Sequence, residues 1–208
     1  ACFQSALESR SLHSSPVLID ADLYYRMGEL EKAAREYELV LRTHRSDEVA
    51  CQMLGIINHR LGKPAAAKNF YLRYLEMNPR HFETVYNLAL LESEEGNTGA
   101  AEKYFNRAIE LDSTSAAANF QLARLLRQSG ETGRAVEHLK LVLETNPDDV
   151  QAHEALAELF FQDSAHHAEA LKHFQILARL QPERADYLES TYIRPLQAEL
   201  SGPSGKQP

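Results

Sequence analysis

Three histidines near the end of the sequence are the first residues that could support chemistry. His166, His167 and His173 lie within one short stretch, and imidazole nitrogens are common ligands of zinc and copper. A metal site also needs ligands that converge with a defined geometry, whereas adjacent histidines in a polar loop more often stay solvated. We therefore predict that this cluster binds no metal.

Paired carboxylates are the next candidates, because two acidic side chains can divide general acid and general base roles between them. Glu94-Glu95 and Asp148-Asp149 are such pairs, but both fall at expected turns and helix starts, where a carboxylate stabilises the helix dipole. The sequence contains no glycine-rich phosphate loop, no Gly-x-Ser-x-Gly turn and no Cys-x-x-Cys pair. We predict that the chain is not an enzyme and carries no cofactor.

The composition is that of an ordinary globular protein with a preference for helix. Hydrophobic residues make up 44% and charged residues 25% of the 208 residues, and tryptophan is absent. The net charge of -8 would repel a phosphate backbone, so we expect no nucleic-acid partner. Because no run of about 18 apolar residues occurs, we expect no membrane insertion of this segment.

Two cysteines, Cys2 and Cys51, are too few for a disulfide framework. Both fall in helical patterns, so we expect buried free thiols. Free thiols and the absence of any Asn-x-Ser/Thr sequon favour a cytoplasmic location.

The strongest signal is an internal repeat with a period of 34 residues. The same residue types recur at matching positions of residues 82–115 and 116–149: Leu88-Ala89 and Leu122-Ala123, Gly96 and Gly130, Ala101 and Ala135, Phe105 and Leu139. The same spacing predicts three further repeats, at residues 14–47, 48–81 and 150–184. The last of them has one inserted residue near 163–167.

Each repeat carries the signals of two helices joined by a tight turn. Its apolar residues recur three and four positions apart, as on one face of a helix. A glycine that accepts positive φ ends the first helix in four repeats: Gly28, Gly62, Gly96 and Gly130. Small residues let the two helices approach closely: Ala21, Gly55, Ala89, Ala123 and Ala157. Because such a pair cannot bury its apolar face alone, neighbouring pairs must stack.

This pattern resembles the tetratricopeptide repeat family over almost the whole chain. The best-matching repeat carries the family positions Leu88, Ala89, Ala101, Phe105 and Ala108. The resemblance implies an all-α fold, a right-handed superhelix of antiparallel helix pairs.

Three polar residues depart from the family pattern at positions that are usually apolar: Asp20, Asn58 and Glu92. We expect local repacking, in which the adjacent apolar residues take the buried role: Ile19, Ile57 and Leu91.

Both ends of the sequence extend the pattern. Phe3 and Ala6 fall where Phe105 and Ala108 fall in their own repeat, so residues 1–13 are predicted to be the second half of a repeat. We therefore expect the chain to be part of a longer one. Residues 185–200 are predicted to form a capping helix with polar faces, bent or shortened by Pro195, and residues 201–208 a disordered tail.

In the family, the first helices of successive repeats line a concave binding surface. The corresponding residues here are the candidate peptide-binding residues: Tyr25, Met53, Ile56, Tyr86, Asn87, Leu90, Phe120, Gln121, Arg124 and Arg127. Five of them predict an exposed apolar patch: Met53, Ile56, Tyr86, Leu90 and Phe120. The amides of Asn87 and Gln121 suit a ligand backbone, and Arg124 and Arg127 lie on one helical face and suit a carboxylate. The alternative for each apolar residue is packing inside the solenoid.

The resemblance implies an interaction scaffold that holds a protein or peptide partner, as an extended or helical segment, in the concave groove. Two alternatives stay open. In one, the chain is the substrate-recruiting arm of a larger enzyme such as a glycosyltransferase. In the other, it is an array that self-associates.

Overall fold

The structure is a computed structural model that describes residues 16–202. Within that range every regular element is helical and no strand occurs, so the prediction of an all-α protein is confirmed. The predicted half repeat 1–13, including Cys2, lies outside the described residues, as do residues 203–208 of the predicted tail. The chain divides into two compact units: unit 1 ends at Leu111 and unit 2 begins at Asp112.

The described part of unit 1 consists of three helix pairs: α1 (Pro16–Arg26) and α2 (Leu30–Thr43), α3 (Glu48–Arg60) and α4 (Pro64–Met77), α5 (Phe82–Glu94) and α6 (Thr98–Leu111). Unit 2 has two pairs and a C-terminal segment: α7 (Ala116–Gln128) and α8 (Thr132–Thr145), α9 (Val150–Phe161) and α10 (His167–Leu180), then α11 (Ala185–Leu188), a π-helical turn (Glu189–Ile193) and α12 (Arg194–Ser201). Because only a few residues join the helices of each pair, the two helices are antiparallel neighbours.

The first four pairs turn on a glycine in the left-handed region, with φ between 66° and 81° at Gly28, Gly62, Gly96 and Gly130. In the third pair the amide of Asn97 donates to the carbonyl of Glu92 at 2.8 Å, and the amide of Gly96 donates to that of Ser93 at 3.1 Å. These bonds satisfy carbonyls that the end of α5 would otherwise leave free. The predicted role of the glycines is confirmed.

The first helices of four pairs also begin in the same way. The residue before each helix accepts a hydrogen bond from a backbone amide three positions later, and these residues recur every 34 positions: Asp47, His81, Ser115 and Asp149. The Asp47 carboxylate, for example, lies 2.8 Å from the amide of Ala50. A side-chain cap of this kind contributes about 1 kcal/mol to helix stability.

The helices of a pair touch through small, fully buried residues. Ala21, Ala89, Ala123 and Ala157 are at most 1% exposed. At the equivalent position in the second pair the backbone of Gly55 lies directly against the ring of Tyr71, which is 1% exposed. The predicted close approach of the helices is confirmed at these residues.

The expected repacking around polar residues is only partly right. Ile57 and Leu91 are buried as predicted, but Ile19 is 61% exposed, so the prediction that it takes a buried role is wrong. Asn58 and Glu92 are themselves buried. Asn58 bonds to the carbonyl of Leu54 at 2.8 Å, and the buried polar group is therefore satisfied within its own helix.

The buried carboxylate of Glu92 has two partners. Lys68 of α4 forms an ion pair with one carboxylate oxygen, and the side-chain amide of Asn97 donates to the other at 2.9 Å. Both partners come from unit 1, one from the preceding pair and one from the turn after α5. A carboxylate can remain buried when its oxygens are paired in this way.

The segment predicted as one capping helix over 185–200 is divided by the π-helical turn. Pro195 lacks an N–H and its ring would clash with the carbonyl of Thr191, so a regular helix cannot run through this point. Leu188, Ile193 and Leu196 are buried against α9 and α10. The segment therefore completes the core of unit 2, and its polar residues cover the outside.

Candidate functional site

In unit 1, the candidate residues of the first two pairs pack against the core. Tyr25 and Met53 are half-buried and contact the apolar cluster formed by α1, α2 and α3. The guanidinium of Arg60 lies 5.4 Å from the centre of the Tyr25 ring, within range of a cation–π interaction. One face of Tyr25 is thus already in use within unit 1.

The candidates on α5 are also half-buried. Tyr86 stacks on Phe82 at a centroid distance of 5.9 Å and meets the edge of Phe105 at 6.0 Å. Asn87 and Leu90, like Ile56 on α3, are half-buried. These side chains present part of their surface to solvent and bury the rest.

The apolar patch is therefore less exposed than the sequence predicts. All five of its residues are half-buried, and more exposed apolar side chains occur elsewhere, for example Ile19 and Leu23 on α1 and Met27 just after it. Their partial burial is compatible with packing inside the unit and with contact to a ligand, so the binding role of these residues stays a prediction.

Unit 2 contains a small concave site around Phe120 and Arg124. Together with Ala123, Arg127, Leu139 and Ala155 they line a cavity of about 60 Å³. Arg127 forms an ion pair with Glu158 of α9 at 2.8 Å. Arg124 is exposed, and within residues 16–202 its guanidinium has no hydrogen-bond or ion-pair partner. The structure thus brings together three of the four candidates on α7, and the exposed cation of Arg124 lies beside an apolar wall.

The fourth candidate on α7, Gln121, is placed differently. It is half-buried, and its side-chain oxygen is enclosed without a hydrogen-bond partner among the described residues. The oxygen would have to move before it could accept from a ligand amide.

A larger concavity of unit 2 lies between α9, α10 and the C-terminal segment. It has a volume of about 400 Å³, and its walls include Glu154, Glu158, Phe161, Tyr187 and Tyr192. Tyr187 and Tyr192 were not among the candidates predicted from the sequence, because the C-terminal segment reads as a polar cap. The signal that could have found them is the presence of several aromatic residues in a segment expected only to face water.

The three histidines of the first chemical prediction are directed to different partners. His166 contacts Asp163 at 2.8 Å, whereas His167 contacts Glu199 at 3.0 Å. His173 contacts His153 at 2.8 Å. Within residues 16–202, no group of three or more potential ligands converges as a metal site would require.

His153 and His173 contact each other through their rings. A carbonyl only accepts, so the Nε2 of His153 is the donor to the carbonyl of Pro147 at 2.9 Å. The Nδ1 atoms of His153 and His173 lie 2.8 Å apart, so one of them donates to the other. Burial, and next the proximity of His153, lower the pKa of His173 to about 4. At the matching positions of the preceding repeat, Asn119 and His138 form a corresponding contact, with 2.9 Å between Oδ1 of Asn119 and Nδ1 of His138.

Cys51 is a free thiol that is fully buried. Burial raises its pKa, which disfavours the reactive thiolate. The expectation of a buried free thiol is confirmed at this position.

Paired antiparallel helices at a constant 34-residue spacing define an α-helical repeat protein. Two family models, both described as tetratricopeptide repeat, match residues 53–116 and 92–159. Together they cover 53–159, which is 107 of 208 residues. The chain belongs to the tetratricopeptide repeat family, as the sequence predicted.

Solved structures share this fold at low sequence identity. A crystal structure of MamA is 21% identical, covers 82% of this chain and 93% of its own, and has a TM-score of 0.73. A MamA fragment from Desulfovibrio magneticus RS-1 is 18% identical, with 81% and 94% coverage and a TM-score of 0.73. YrrB, described as a tetratricopeptide repeat protein with an unusual peptide-binding site, is 22% identical, with 91% and 97% coverage and a TM-score of 0.70.

No curated protein sequence matches the chain. Among the helices of residues 16–202, none combines the length and the apolar character needed to cross a bilayer.

Proposed function

We propose that the chain is a protein-interaction scaffold that binds a peptide or helical segment of a partner. The observation that carries this proposal is the exposed guanidinium of Arg124, which has no partner among residues 16–202 and lies beside the cavity lined by Phe120, Leu139 and Ala155. An exposed cation next to an accessible apolar surface matches an acidic residue and an apolar residue that neighbour each other on a ligand.

The chemistry of this site favours a polypeptide over a small molecule. A cavity of about 60 Å³ is smaller than the 300–1,000 Å³ typical of small-molecule sites, but it can hold one apolar side chain. The half-buried edges of Tyr86, Asn87 and Leu90 in unit 1 offer further contacts of the same kind. Peptide segments bind through several such shallow contacts.

Arg124 and Arg127 contribute differently to this proposal. Arg127 is engaged by Glu158 at 2.8 Å, so it helps to hold the wall of the site in place. Arg124 has no such partner among residues 16–202, and it is the residue that would meet the ligand carboxylate. The resemblance in fold to YrrB supports the proposal by analogy, because that protein is described as having a peptide-binding site.

The proposal is tested with peptides selected for binding from a random displayed library. Their dissociation constants are measured by calorimetry for the wild type and for Arg124→Glu, which turns an attraction for a carboxylate into a repulsion. We expect the selected peptides to carry Asp or Glu and to bind Arg124→Glu about tenfold more weakly.

Arg179→Glu is the matched control. Arg179 lies on α10, its side chain is 73% exposed, and its substitution makes the same change of charge far from Phe120 in sequence. Equal binding to Arg124→Glu and Arg179→Glu, or the failure to select any peptide, would refute the proposed site.

A further inference from the structure

The 400 Å³ cavity of unit 2, called the C-terminal pocket here, has walls of unusual composition. Four of its residues are aromatic: Phe161, Phe174, Tyr187 and Tyr192. Its charged residues are Glu154 and Glu158, which project from successive turns of α9, and Arg184, which pairs with Glu154 and leaves Glu158 as the more available carboxylate. Aromatic faces with adjacent carboxylates are the surroundings that an organic cation prefers, because the ring quadrupole and the negative charge both attract it.

The aromatic rings are held at right angles to one another. Tyr192 meets Phe161 at a centroid distance of 5.4 Å and an interplanar angle of 89°, and it meets Tyr187 at 6.0 Å and 84°. On the core side Tyr192 stacks on the buried ring of Phe174 at 4.3 Å. Tyr192 therefore contacts three other rings that line the pocket, and one of them, Phe174, belongs to the core of unit 2.

The π-helical turn explains why Tyr192 occupies this position. The turn spans Glu189–Ile193 and ends just before Pro195. It anchors itself through Leu188 and Ile193, which are at most 2% exposed. Because both ends of the turn are buried, Tyr192 is carried by rigid backbone between them.

The charge of the surrounding region is negative. Residues 150–202 contain eight Asp and Glu against four Lys and Arg, a net charge of -4. Such a field attracts cationic partners over distances of about 10 Å. The chain as a whole carries -8, so a basic partner is favoured over an acidic one at this end of unit 2.

The two carboxylates have partners that leave acceptor capacity. Glu154 forms an ion pair with Arg184, and one oxygen of Glu158 contacts Arg127 at 2.8 Å. The side chain of Glu158 is 61% exposed, and its other oxygen remains available. The contact between Arg184 and Glu154 also demonstrates that a guanidinium fits at the edge of this pocket.

We infer that the C-terminal pocket binds the cationic side chain of an arginine or lysine on a basic peptide segment. This inference rests on the proposed function in one respect, that the cation arrives on a polypeptide. It names a second contact, opposite in charge to that of Arg124. A ligand that uses both sites would carry an acidic and a basic residue at separate positions.

The test uses small probes that do not depend on the peptide site. N-acetyl-arginine N-methylamide and its lysine analogue are titrated into the ¹⁵N- and ¹³C-labelled chain and followed by NMR. The uncharged isostere N-acetyl-citrulline N-methylamide is titrated in parallel. We expect saturable shifts of the Phe161, Tyr187 and Tyr192 signals with a cationic probe and none with citrulline.

Two variants test the two components of the pocket. Tyr187→Leu removes an aromatic face that is 54% exposed, and Glu158→Gln removes a charge. We expect each to raise the dissociation constant about threefold or more. Arg127→Gln should lower it, because it releases Glu158 from its ion pair. Glu137→Gln on α8 is the matched control for the loss of charge and should bind as the wild type does.

The inference is overturned if citrulline binds as well as arginine, if the shifts lie outside the pocket, or if both variants bind like Glu137→Gln. If the chain binds a cationic probe but selects no peptide, the proposed function is refuted and the inference of a cation-binding pocket is retained. Selection of acidic peptides without probe binding would refute the pocket and keep the proposed function.

Discussion

Replacing Gly55 by alanine should destabilise unit 1, although alanine is the better helix former. Gly55 lies inside α3, where the substitution gains about 1 kcal/mol of helix propensity. A Cβ at this position, however, would lie 2.5 Å from Cε1 and 3.2 Å from Cγ of Tyr71. Carbon atoms pack at about 3.5–4.0 Å, so the ring would have to move by about 1 Å.

Tyr71 has no free space into which to move. It is 1% exposed and packed between the two helices of its pair. Overpacking of a closed core typically costs about 1–3 kcal/mol, occasionally more. Because the added Cβ would lie about 1 Å too close to a fully buried ring, we take the upper end of this range, about 3 kcal/mol; the gain of about 1 kcal/mol in helix propensity then leaves a net loss of about 2 kcal/mol in the free energy of unfolding.

The measurement is urea-induced unfolding followed by circular dichroism, with Gly99→Ala as the matched control. Gly99 lies in the first turn of α6, and an added Cβ meets nothing within 4 Å. This control should be neutral or slightly more stable than the wild type. If Gly55→Ala were as stable as Gly99→Ala, the close contact between α3 and Tyr71 would not exist as described.

Two further predictions concern buried polar groups of the two units. Lys68→Met should destabilise the chain by about 3 kcal/mol in the same urea assay, because it removes the cation that pairs with the buried Glu92. The double variant Lys68→Met with Glu92→Leu should recover most of that loss, because the matching position of unit 2 is filled by a buried leucine, Leu126. The pKa of His173 is about 4 in the folded chain against an ordinary 6.5, so the unfolded chain binds this proton more tightly. The contribution of neutral His173 to the free energy of unfolding is fully present above pH 6.5 and is lost as the pH falls through 4. Between pH 7 and pH 4 the free energy of unfolding of His173→Gln should therefore fall by about 3 kcal/mol less than that of the wild type, measured by urea unfolding at pH 7, 5 and 4.

The helices and their turns were predictable because their signals are local. A glycine at the end of α5 must accept positive φ whatever packs around it, and Gly96 does so with φ 76°. The caps at Asp47 and Asp149 likewise need only the three residues that follow them. Repetition at 34 residues then multiplies a weak local signal into a strong one.

The failed expectations involve partners from another helix. Glu92 reads as a defect in an apolar register because its cation, Lys68, lies 24 positions earlier in the chain, on α4. Ile19 fits the apolar periodicity of α1, which predicts a buried side chain, so the periodicity gives no sign that this residue is exposed. The C-terminal pocket depends on how Pro195 and the π-helical turn place Tyr192 against Phe174, and spacing alone carries no information on that contact.

The buried polar residues also show how one repeat can differ from the next without disturbing the stack. Asn58 is satisfied by the carbonyl of Leu54 in its own helix, and Asn119 by the carbonyl of Ser115 and by His138 in its own pair. Because these partners lie within the same repeat, each substitution is compensated where it occurs. Polar variation inside the core therefore needs no functional explanation.

The position of the repeat that holds the candidate residues Met53, Asn87 and Gln121 behaves differently. It holds Ile19, Met53, Asn87, Gln121 and Ala155 in successive repeats, which share neither size nor polarity. By contrast, the register of Leu54, Leu88, Leu122 and Leu156 holds the same residue type, fully buried, in four of the five repeats, and the first repeat departs from it with Asp20. A position whose residue type varies in this way is not constrained by packing within the helix pairs. Under the proposed function, its residue type can be selected for contact with a ligand. The specificity of the scaffold should therefore reside there and at Arg124, where substitution changes binding at little cost in stability.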